Sequence, residues 1–281
     1  MKATYHKYNL QFKRPSGTSR GILTAKETWF LILEEHGKRG IGECAVFRGL
    51  SCDDTPDYEA KLAWTCRHID LGLRDLLDSL IEFPSIQFGV EMAFKSLKSN
   101  SPYELFPSKF TKSQASIPIN GLIWMGDKAF MKQQIQDKLS AGFQCIKMKI
   151  GAIDFETELE LLKTIRNEFS SEVIELRVDA NGAFTPKNAL EKLKRLSDYQ
   201  LHSIEQPIKQ GQLLEMAKLC EETPLPIALD EELIGVFSVA KRKKMLQTIK
   251  PQYIILKPSL IGGIHNSNNW ILLAKQQKIG W

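Results

Sequence analysis

From residue 117 onward, short apolar runs alternate with longer stretches whose apolar positions recur at helical spacing. Asp127 and Asp154 stand directly before two helical stretches, where a short polar side chain favours the start of a helix, and Gly142 favours the end of the first. The predicted strands cover residues 117–122, 143–150, 173–179, 201–205, 227–230 and 253–257, and the predicted helices cover 128–140, 155–169, 187–199, 212–222, 235–248 and 269–278. Six successive strand–helix units predict an α/β barrel or an open parallel sheet.

The first 112 residues follow a different pattern, with strand signals before helix signals. The predicted strands cover residues 5–13 and 28–34, and the predicted helices cover 56–68 and 86–97. This order is typical of a small α+β domain. The segment 100–116, which contains prolines and serines, is the best candidate for a linker. We therefore predict an α+β domain over residues 1–112 and a barrel domain over residues 113–281.

A polar segment with a glycine near each end, residues 15–21, separates the first two predicted strands. Because Gly17 and Gly21 permit hinge motion, this segment is a candidate lid over a binding site. An ordinary hairpin connection is an equally good interpretation. A second loop is predicted over residues 40–54, before the first helix.

The strand–helix alternation reaches residues 279–281 at the point where a seventh strand is expected to begin. A closed barrel needs about eight strands to fill its interior. We therefore expect a TIM-like (β/α) barrel that is C-terminally incomplete in this chain, and a natural protein that continues beyond Trp281.

Charged residues stand at the ends of five successive predicted strands, 25 to 30 residues apart. They are Lys149, Asp179, Glu205, Asp230 and Lys257. In a parallel barrel the carboxyl ends of all strands meet at one mouth, and catalytic residues come from several strands. The spacing therefore predicts that three carboxylates and two lysines converge.

Three of these residues, Asp179, Glu205 and Asp230, are candidate metal ligands. Carboxylates brought together repel one another strongly unless a cation lies between them. Neither cysteine nor histidine occurs at these strand ends, and an all-oxygen set of ligands favours Mg²⁺ over zinc. Glu231 and Glu232 are the next candidates, although strand alternation predicts that Glu231 points away from the site.

Two lysines on the second predicted strand, Lys147 and Lys149, lie on one face because side chains alternate along a strand. The opposite face carries Ile146, Met148 and Ile150, which are predicted to pack against the helices. Solvated lysines on an exposed strand are the alternative. In a barrel whose outer face is covered by helices, however, both lysines would point into the mouth, where carboxylates can compensate their charge.

Composition indicates a globular enzyme and excludes several other classes. The chain has 281 residues, of which 43% are hydrophobic and 25% charged, with a mild net charge of +5. The basic run at 241–244 is interpreted as a solvated helix face, so no nucleic-acid partner is predicted. Five scattered cysteines without CxxC spacing, no signal peptide and no apolar membrane span predict a soluble, cytoplasmic protein. No phosphate-binding glycine loop and no GxSxG motif is present.

The chain resembles the muconate-lactonizing subgroup of the enolase superfamily. The resemblance rests on KMK at 147–149, RVDAN at 177–181, IEQP at 204–207, LDE at 229–231 and LKP at 256–258. Two further segments, SIPINGLIW at 116–124 and GTSRG at 17–21, are similar to the subgroup's dehydratases of menaquinone biosynthesis. The resemblance implies a (β/α) barrel with an N-terminal α+β capping domain.

This resemblance also implies a carbon–oxygen lyase that acts on a small carboxylate, by syn dehydration of 2-succinyl-6-hydroxy-2,4-cyclohexadiene-1-carboxylate to o-succinylbenzoate. Superfamily sites of this kind pair a lysine base with Mg²⁺. Lys149 would be the base and then the acid, and Lys257 would hold the intermediate from the opposite face by a cation–π contact. Lys147 would contact the substrate carboxylate and lower the pKa of Lys149. Asp179, Glu205 and Asp230 would hold the metal.

Two other functions remain open at this point. A dipeptide epimerase or N-acylamino-acid racemase would use the same five residues, with both lysines acting as bases. A non-catalytic binding protein on a decayed barrel is the alternative from another class, although the complete set of five residues argues against decay. Gly262 and Gly263 could bring backbone amides close to a ligand or form a plain turn.

Overall fold

The computed structural model describes residues 1–18 and 21–281, and its first part is built on an antiparallel sheet. Three strands pair in the order β1-β2-β3, and three α-helices follow them. The bounds are β1 Lys2–Thr18, β2 Gly21–Glu35, β3 Lys38–Cys44, α1 Tyr58–Arg67, α2 Gly72–Ser79 and α3 Pro84–Lys98. This arrangement confirms the predicted N-terminal α+β unit.

Strand β2 shows why this sheet folds onto helix α3. Its residues Trp29, Leu31 and Leu33 are at most 1% exposed, so the strand buries every second side chain, as a sheet with one covered face does. On β3, a Cβ atom at Gly42 would come closer than 3.0 Å to the main-chain oxygen of Gly89 in α3. Close approach of strand and helix backbones therefore requires glycine at residue 42.

The N-terminal sheet agrees with the hairpin interpretation of residues 15–21 and corrects the prediction for residues 40–44. Strands β1 and β2 stay paired to Thr18 and Gly21, so most of the candidate lid segment is strand, while its residues Ser19 and Arg20 lie outside the described part. The prediction of a loop beginning at Gly40 is wrong, because β3 pairs with β2 through Cys44. Glycines at strand positions concealed this strand from the sequence pattern.

The second part of the chain is a parallel sheet covered by helices. Six strands pair in sequence order, β4 to β9. The strands are β4 Gly121–Ile123, β5 Cys145–Lys149, β6 Glu175–Asp179, β7 Ser203–Glu205, β8 Ile227–Leu229 and β9 Tyr253–Ile254. The helices are α4 Lys128–Ser140, α5 Phe155–Glu168, α6 Pro186–Ser197, α7 Leu213–Glu222, α8 Val239–Ile249, α9 Pro258–Ile261 and α10 Gly263–Gln276. Short α9 and the early start of α10 were not predicted.

Local signals in the sequence explain where these elements begin and how they face. The Asp127 carboxylate accepts a hydrogen bond from Phe130 N at 2.8 Å, and Asp154 accepts one from Thr157 N at 3.1 Å, so both predicted helix caps are confirmed. On β5, Ile146 and Met148 are fully buried in the core between sheet and helices. Lys147 and Lys149 therefore lie on the opposite face of the sheet, as alternation predicted.

The parallel sheet is not closed, in agreement with the predicted incomplete barrel. Strands β4 and β9 lie at its two edges, and Gly280 forms one parallel bridge with Tyr253 beside β9, where a seventh strand was expected to begin. Among the described residues, no helix combines the length and apolar character needed to cross a membrane. The domain boundary between residues 112 and 113 stays a prediction.

Candidate active site

Adjacent strands bring the predicted charged residues into register. Lys149 on β5 pairs with Asp179 on β6, and Asp179 pairs with Glu205 on β7, so the three residues lie side by side across the sheet. Asp230 directly follows β8, and Lys257 follows β9 by three residues. All five predicted strand-end residues therefore lie at the same end of the sheet, as expected for parallel strands.

Ion pairs join these residues into one row, which we call the lysine–carboxylate row. Lys149 Nζ lies 2.8 Å from Asp179 Oδ2, and Lys147 Nζ lies 3.4 Å from the same oxygen and donates a hydrogen bond to Glu205. Lys257 Nζ lies 3.6 Å from Glu205 Oε1 and donates to the Asp230 carboxylate. In the order of its contacts, the row alternates in charge and consists of Lys149, Asp179, Lys147, Glu205, Lys257 and Asp230.

The carboxylates of this row are more deeply buried than its lysines. Asp179, Glu205 and Asp230 are 0%, 4% and 3% exposed, so water cannot compensate their charges effectively. The side chains of Lys147 and Lys149 are 19% and 18% exposed, and that of Lys257 is 40% exposed. The lysines therefore form the accessible surface of the site, and the carboxylates form its floor.

The pKa values reflect burial in competition with these ion pairs. Burial alone would raise the pKa of Asp179, but the ammonium groups of Lys149 and Lys147 outweigh it and hold that pKa below its usual range. Burial together with the nearby Glu231 and Glu205 carboxylates raises the pKa of Asp230 to about 7, although Lys257 opposes the shift. Burial would lower the pKa values of Lys147 and Lys257, but the adjacent carboxylates raise both above the ordinary lysine value.

Two residues that the sequence reasoning did not select, Asn181 and Gln206, organise the strand ends. Lys149 Nζ donates to Asn181 Oδ1 at 2.7 Å, and Asn181 Nδ2 donates to Glu231 Oε1 at 2.9 Å. Gln206 Oε1 accepts from Asp230 N at 3.1 Å, which links the end of β7 to that of β8. Asn181 and Gln206 have φ values of +44° and +41°, which are uncommon outside glycine and often found at functional sites.

The orientation of Glu231 corrects one prediction. Strand alternation predicted that it points away from the site, but its hydrogen bond from Asn181 joins it to the lysine–carboxylate row. Strand β8 ends at Leu229, and Glu231 begins a short 3₁₀ helix, Glu231–Leu233, in which the two-residue alternation of a strand no longer applies.

The chemistry of the carboxylate floor fits a divalent cation, although its present geometry is that of ion pairs. Among residues 1–18 and 21–281, no three histidine, cysteine, aspartate or glutamate side chains are grouped closely enough to hold a metal ion, and lysines stand between the carboxylates. Glu205 Oε1 is nevertheless buried and accepts no hydrogen bond from the described residues. Three buried carboxylates on neighbouring strands provide the oxygen ligands that Mg²⁺ prefers.

Buried carboxylates on neighbouring helical elements hold the loops that follow the strands. Glu158 of α5, which is 0% exposed, accepts a hydrogen bond from Gly151 N at 2.6 Å, two residues after Lys149. Glu232 accepts one from Gly211 N at 2.9 Å in the loop after β7. These contacts connect the loops after β5 and β7 to neighbouring helical elements.

The comparisons with known proteins agree with this geometry. Residues 130–281 match the family model described as enolase C-terminal domain-like. An o-succinylbenzoate synthase from Desulfotalea psychrophila is 47% identical, and the match covers all of this chain and 84% of that protein. The chain belongs to the enolase superfamily.

Solved structures support the membership across the whole fold. The crystal structure of MenC from Desulfotalea psychrophila has a TM-score of 0.87 and 43% identity, and the match covers 100% of this chain and 84% of that one. An o-succinylbenzoate synthase from Thermosynechococcus elongatus, complexed with Mg in its active site, has a TM-score of 0.76 at 22% identity, over 99% and 81% of the two chains. The predicted resemblance and fold class are confirmed.

Proposed function

We propose that this protein catalyses the o-succinylbenzoate synthase reaction, in which 2-succinyl-6-hydroxy-2,4-cyclohexadiene-1-carboxylate loses water and becomes o-succinylbenzoate. The enzyme is a lyase of the enolase superfamily. The 47% identity to an o-succinylbenzoate synthase over the full chain supports this substrate over the dipeptides of an epimerase. Five free cysteines among the described residues support a cytoplasmic location, where thiols stay reduced.

One observation carries the catalytic assignment: Lys149 and Lys257 belong to the two outer strands of the five whose ends carry the charged residues. In the order of the strands, Lys149 ends β5 and Lys257 follows β9, whereas Asp179, Glu205 and Asp230 lie at the ends of the three strands between them. A substrate bound above these carboxylates would have one lysine on each face. This arrangement supports a base on one face and a stabilising charge on the other.

The carboxylates Asp179, Glu205 and Asp230 are the proposed Mg²⁺ ligands. A divalent cation held there supplies positive charge for the substrate carboxylate, where negative charge builds when the neighbouring carbon loses its proton. The side chains of Lys147 and Lys257 would have to turn away from the carboxylates that they now contact, and their long flexible stems allow this. Magnesium in the Thermosynechococcus elongatus structure supports this choice of metal.

The proton has a direct path through Lys149. With its Nζ neutral, Lys149 takes the proton from the carbon next to the substrate carboxylate. The bond between the ring and the hydroxyl group then breaks, and Lys149 returns the proton to the departing hydroxide, so that water leaves and the ring becomes aromatic. No oxidant is needed. Asn181 Oδ1, at 2.7 Å from Lys149 Nζ, fixes the position of the amine.

Two further roles complete the proposal. The ammonium of Lys257, with 40% of its side chain exposed, would lie over the opposite face of the ring and stabilise it by a cation–π contact. Lys147, between Asp179 and Glu205, would contact the substrate carboxylate. The substrate is thus a small carboxylate that is held by charge on both faces.

The proposal is tested by incubating the purified protein with the cyclohexadiene carboxylate and following formation of the aromatic product by absorbance. We expect turnover with Mg²⁺ and no turnover after chelation, with recovery on adding Mg²⁺. Parallel incubation with dipeptides in deuterated water tests the epimerase alternative. Exchange of deuterium into dipeptides without any dehydration would refute the proposal.

A further inference from the structure

A buried carboxylate of the N-terminal unit, Glu91, contacts the barrel at the turn that follows Lys257. It lies on α3 and is 7% exposed. It accepts a hydrogen bond from His265 N at 2.9 Å and a second one from Ile264 N, two backbone amides in the first turn of α10. These hydrogen bonds join residues 173 and 174 positions apart, and they connect the two halves of the fold.

Two glycines form the turn against which Glu91 packs. Gly262 and Gly263 have φ values of +94° and +82° and link α9 to α10. A Cβ atom at Gly263 would lie closer than 3.0 Å to Glu91 Oε2, and one at Gly262 would lie equally close to Gln87 Oε1. Side chains of α3 therefore fill the space that other residues would need at these two positions. The positive φ values favour glycine at both positions, and a side chain at residue 263 would displace the Glu91 carboxylate.

The contact between Glu91 and α10 gives the helix amides an acceptor and gives the buried carboxylate hydrogen-bond donors. The first amides of a helix have no partner within the helix, and its N-terminus favours a negative charge. Glu91 provides both an acceptor and a charge. Burial raises the pKa of Glu91, and the amides of His265 and Ile264 oppose this shift. The carboxylate is thus buried between α3 and α10, and each of its two oxygens accepts a hydrogen bond from α10.

The turn held by Glu91 lies five residues beyond Lys257. Helix α9 begins at Pro258, directly after Lys257, and Leu260 N donates to Lys257 O at 2.8 Å. One short helix of four residues is therefore all that separates the Lys257 backbone from this turn. On its other side, α3 is packed against β3 with backbone contact at Gly42 and Gly89.

We propose that Glu91 is a positioning residue that couples the N-terminal unit to Lys257. By binding the first amides of α10, it fixes the α9–α10 turn and thereby the height of the Lys257 ammonium over the carboxylate floor. The inference rests on the proposed dehydration, since Lys257 acts there on the substrate. Misplacement of such a group by about 1 Å costs about 10²-fold in rate.

Variants of Glu91 test this role against a merely structural one. Glu91→Gln keeps the shape but replaces one acceptor by a donor that faces the helix amides. Glu82→Gln, an exposed carboxylate next to α3, is the matched control. Ser85→Ala removes buried hydrogen bonds to Asp53 and Tyr58 at the start of α3, and it reports on general destabilisation of this helix.

We expect Glu91→Gln to reduce kcat by about 10²-fold with a smaller change in KM, and Glu91→Asp to recover part of the loss. Both controls should retain wild-type kcat at temperatures where they are folded. In hydrogen–deuterium exchange without substrate, the backbone amides of residues 258–267 should exchange faster in Glu91→Gln than in the wild-type protein. Their exchange rates should be unchanged in Glu82→Gln, and the amides of α8 should stay protected in both variants.

The exchange measurement separates this inference from the proposed function, because it needs no substrate. If the wild-type protein does not dehydrate the cyclohexadiene, the proposed function is refuted. Faster exchange in the α9–α10 turn of Glu91→Gln would still support the structural contact. Unchanged exchange in a folded Glu91→Gln variant would overturn the inference. Wild-type kcat in that variant, or an equal loss in Ser85→Ala, would also overturn the positioning role.

Discussion

Replacement of the two flanking lysines distinguishes which of them moves the proton. In Lys149→Ala, the amine that contacts Asp179 and Asn181 is lost. Proton transfer by a positioned group contributes about 10²–10⁴-fold, and Lys149 would act as both base and acid. We therefore expect kcat/KM to fall by at least about 10⁴-fold, which corresponds to about 5 kcal/mol of transition-state stabilisation.

The structure indicates that this variant stays folded. After removal of the Lys149 amine, Asp179 Oδ2 still lies 3.4 Å from Lys147 Nζ, and Asp179 Oδ1 still accepts a hydrogen bond from Asn181 N at 3.1 Å. The buried carboxylate is therefore not left uncompensated, which would cost about 3–5 kcal/mol. The exposed Lys163→Ala on α5 is the matched control, and thermal unfolding followed by circular dichroism checks both variants.

Lys257 should respond differently, because its charge rather than its proton is used. Lys257→Arg keeps the charge beside Asp230 and should retain part of the activity, whereas Lys257→Ala should lose about tenfold or more, as expected for loss of a desolvated cation–π contact. In an epimerase each lysine removes a proton from one enantiomer, so either alanine variant would stop turnover. Near-normal dehydration by a folded Lys149→Ala protein would refute the assignment of the base.

Three further predictions follow from the structure. Mg²⁺ bound to the folded protein should raise its thermal midpoint, and Asp230→Asn should abolish this rise because the variant lacks a carboxylate ligand. An equal rise in the variant would exclude Asp230 as a ligand. Glu158→Ala should reduce the free energy of unfolding by about 1–3 kcal/mol, because Gly151 N loses its acceptor, whereas the exposed Glu160→Ala on the same helix should not. Gly42→Ala should lower the free energy of unfolding by about 3 kcal/mol in urea, because its Cβ would overlap the Gly89 main chain. Gly37→Ala has open space around its Cβ but a φ of +75°, and it should lower the free energy of unfolding by only about 1 kcal/mol. Equal losses would show that α3 can move away from the sheet.

The parallel part of the fold could be predicted because each unit carries its own local signals. An apolar run, a polar cap and a helical stripe recur within about 30 residues, as at Asp154 and α5, and each of these signals acts over a few residues. The strand-end positions of Asp179 and Glu205 followed from the same repeat, because parallel strands end at one edge of the sheet. The periodicity of the sequence was therefore sufficient to predict that these residues lie close together.

The elements that were missed depend on contacts between distant residues. Strand β3 was interpreted as a loop because glycines at 40 and 42 weaken a strand, yet both glycines are required by the approach of α3 about fifty residues later. Helix α9 has only four residues, too few for a helical pattern to emerge. The turn of Glu231 toward the site followed from a 3₁₀ helix that interrupts the strand alternation.

The division between strands and helices explains why reactive residues were easier to recognise than the groups that hold them. In this sheet the strand ends carry the charges, whereas the helical elements carry the anchoring carboxylates Glu91, Glu158 and Glu232. An anchor needs only a buried acceptor and one or two backbone amides, and amides have no signature in the sequence. Such a carboxylate resembles any polar residue on an amphipathic helix until the loop that it binds is seen beside it. Mutational tests of this fold should therefore begin with buried helical carboxylates, because sequence reasoning alone does not identify them.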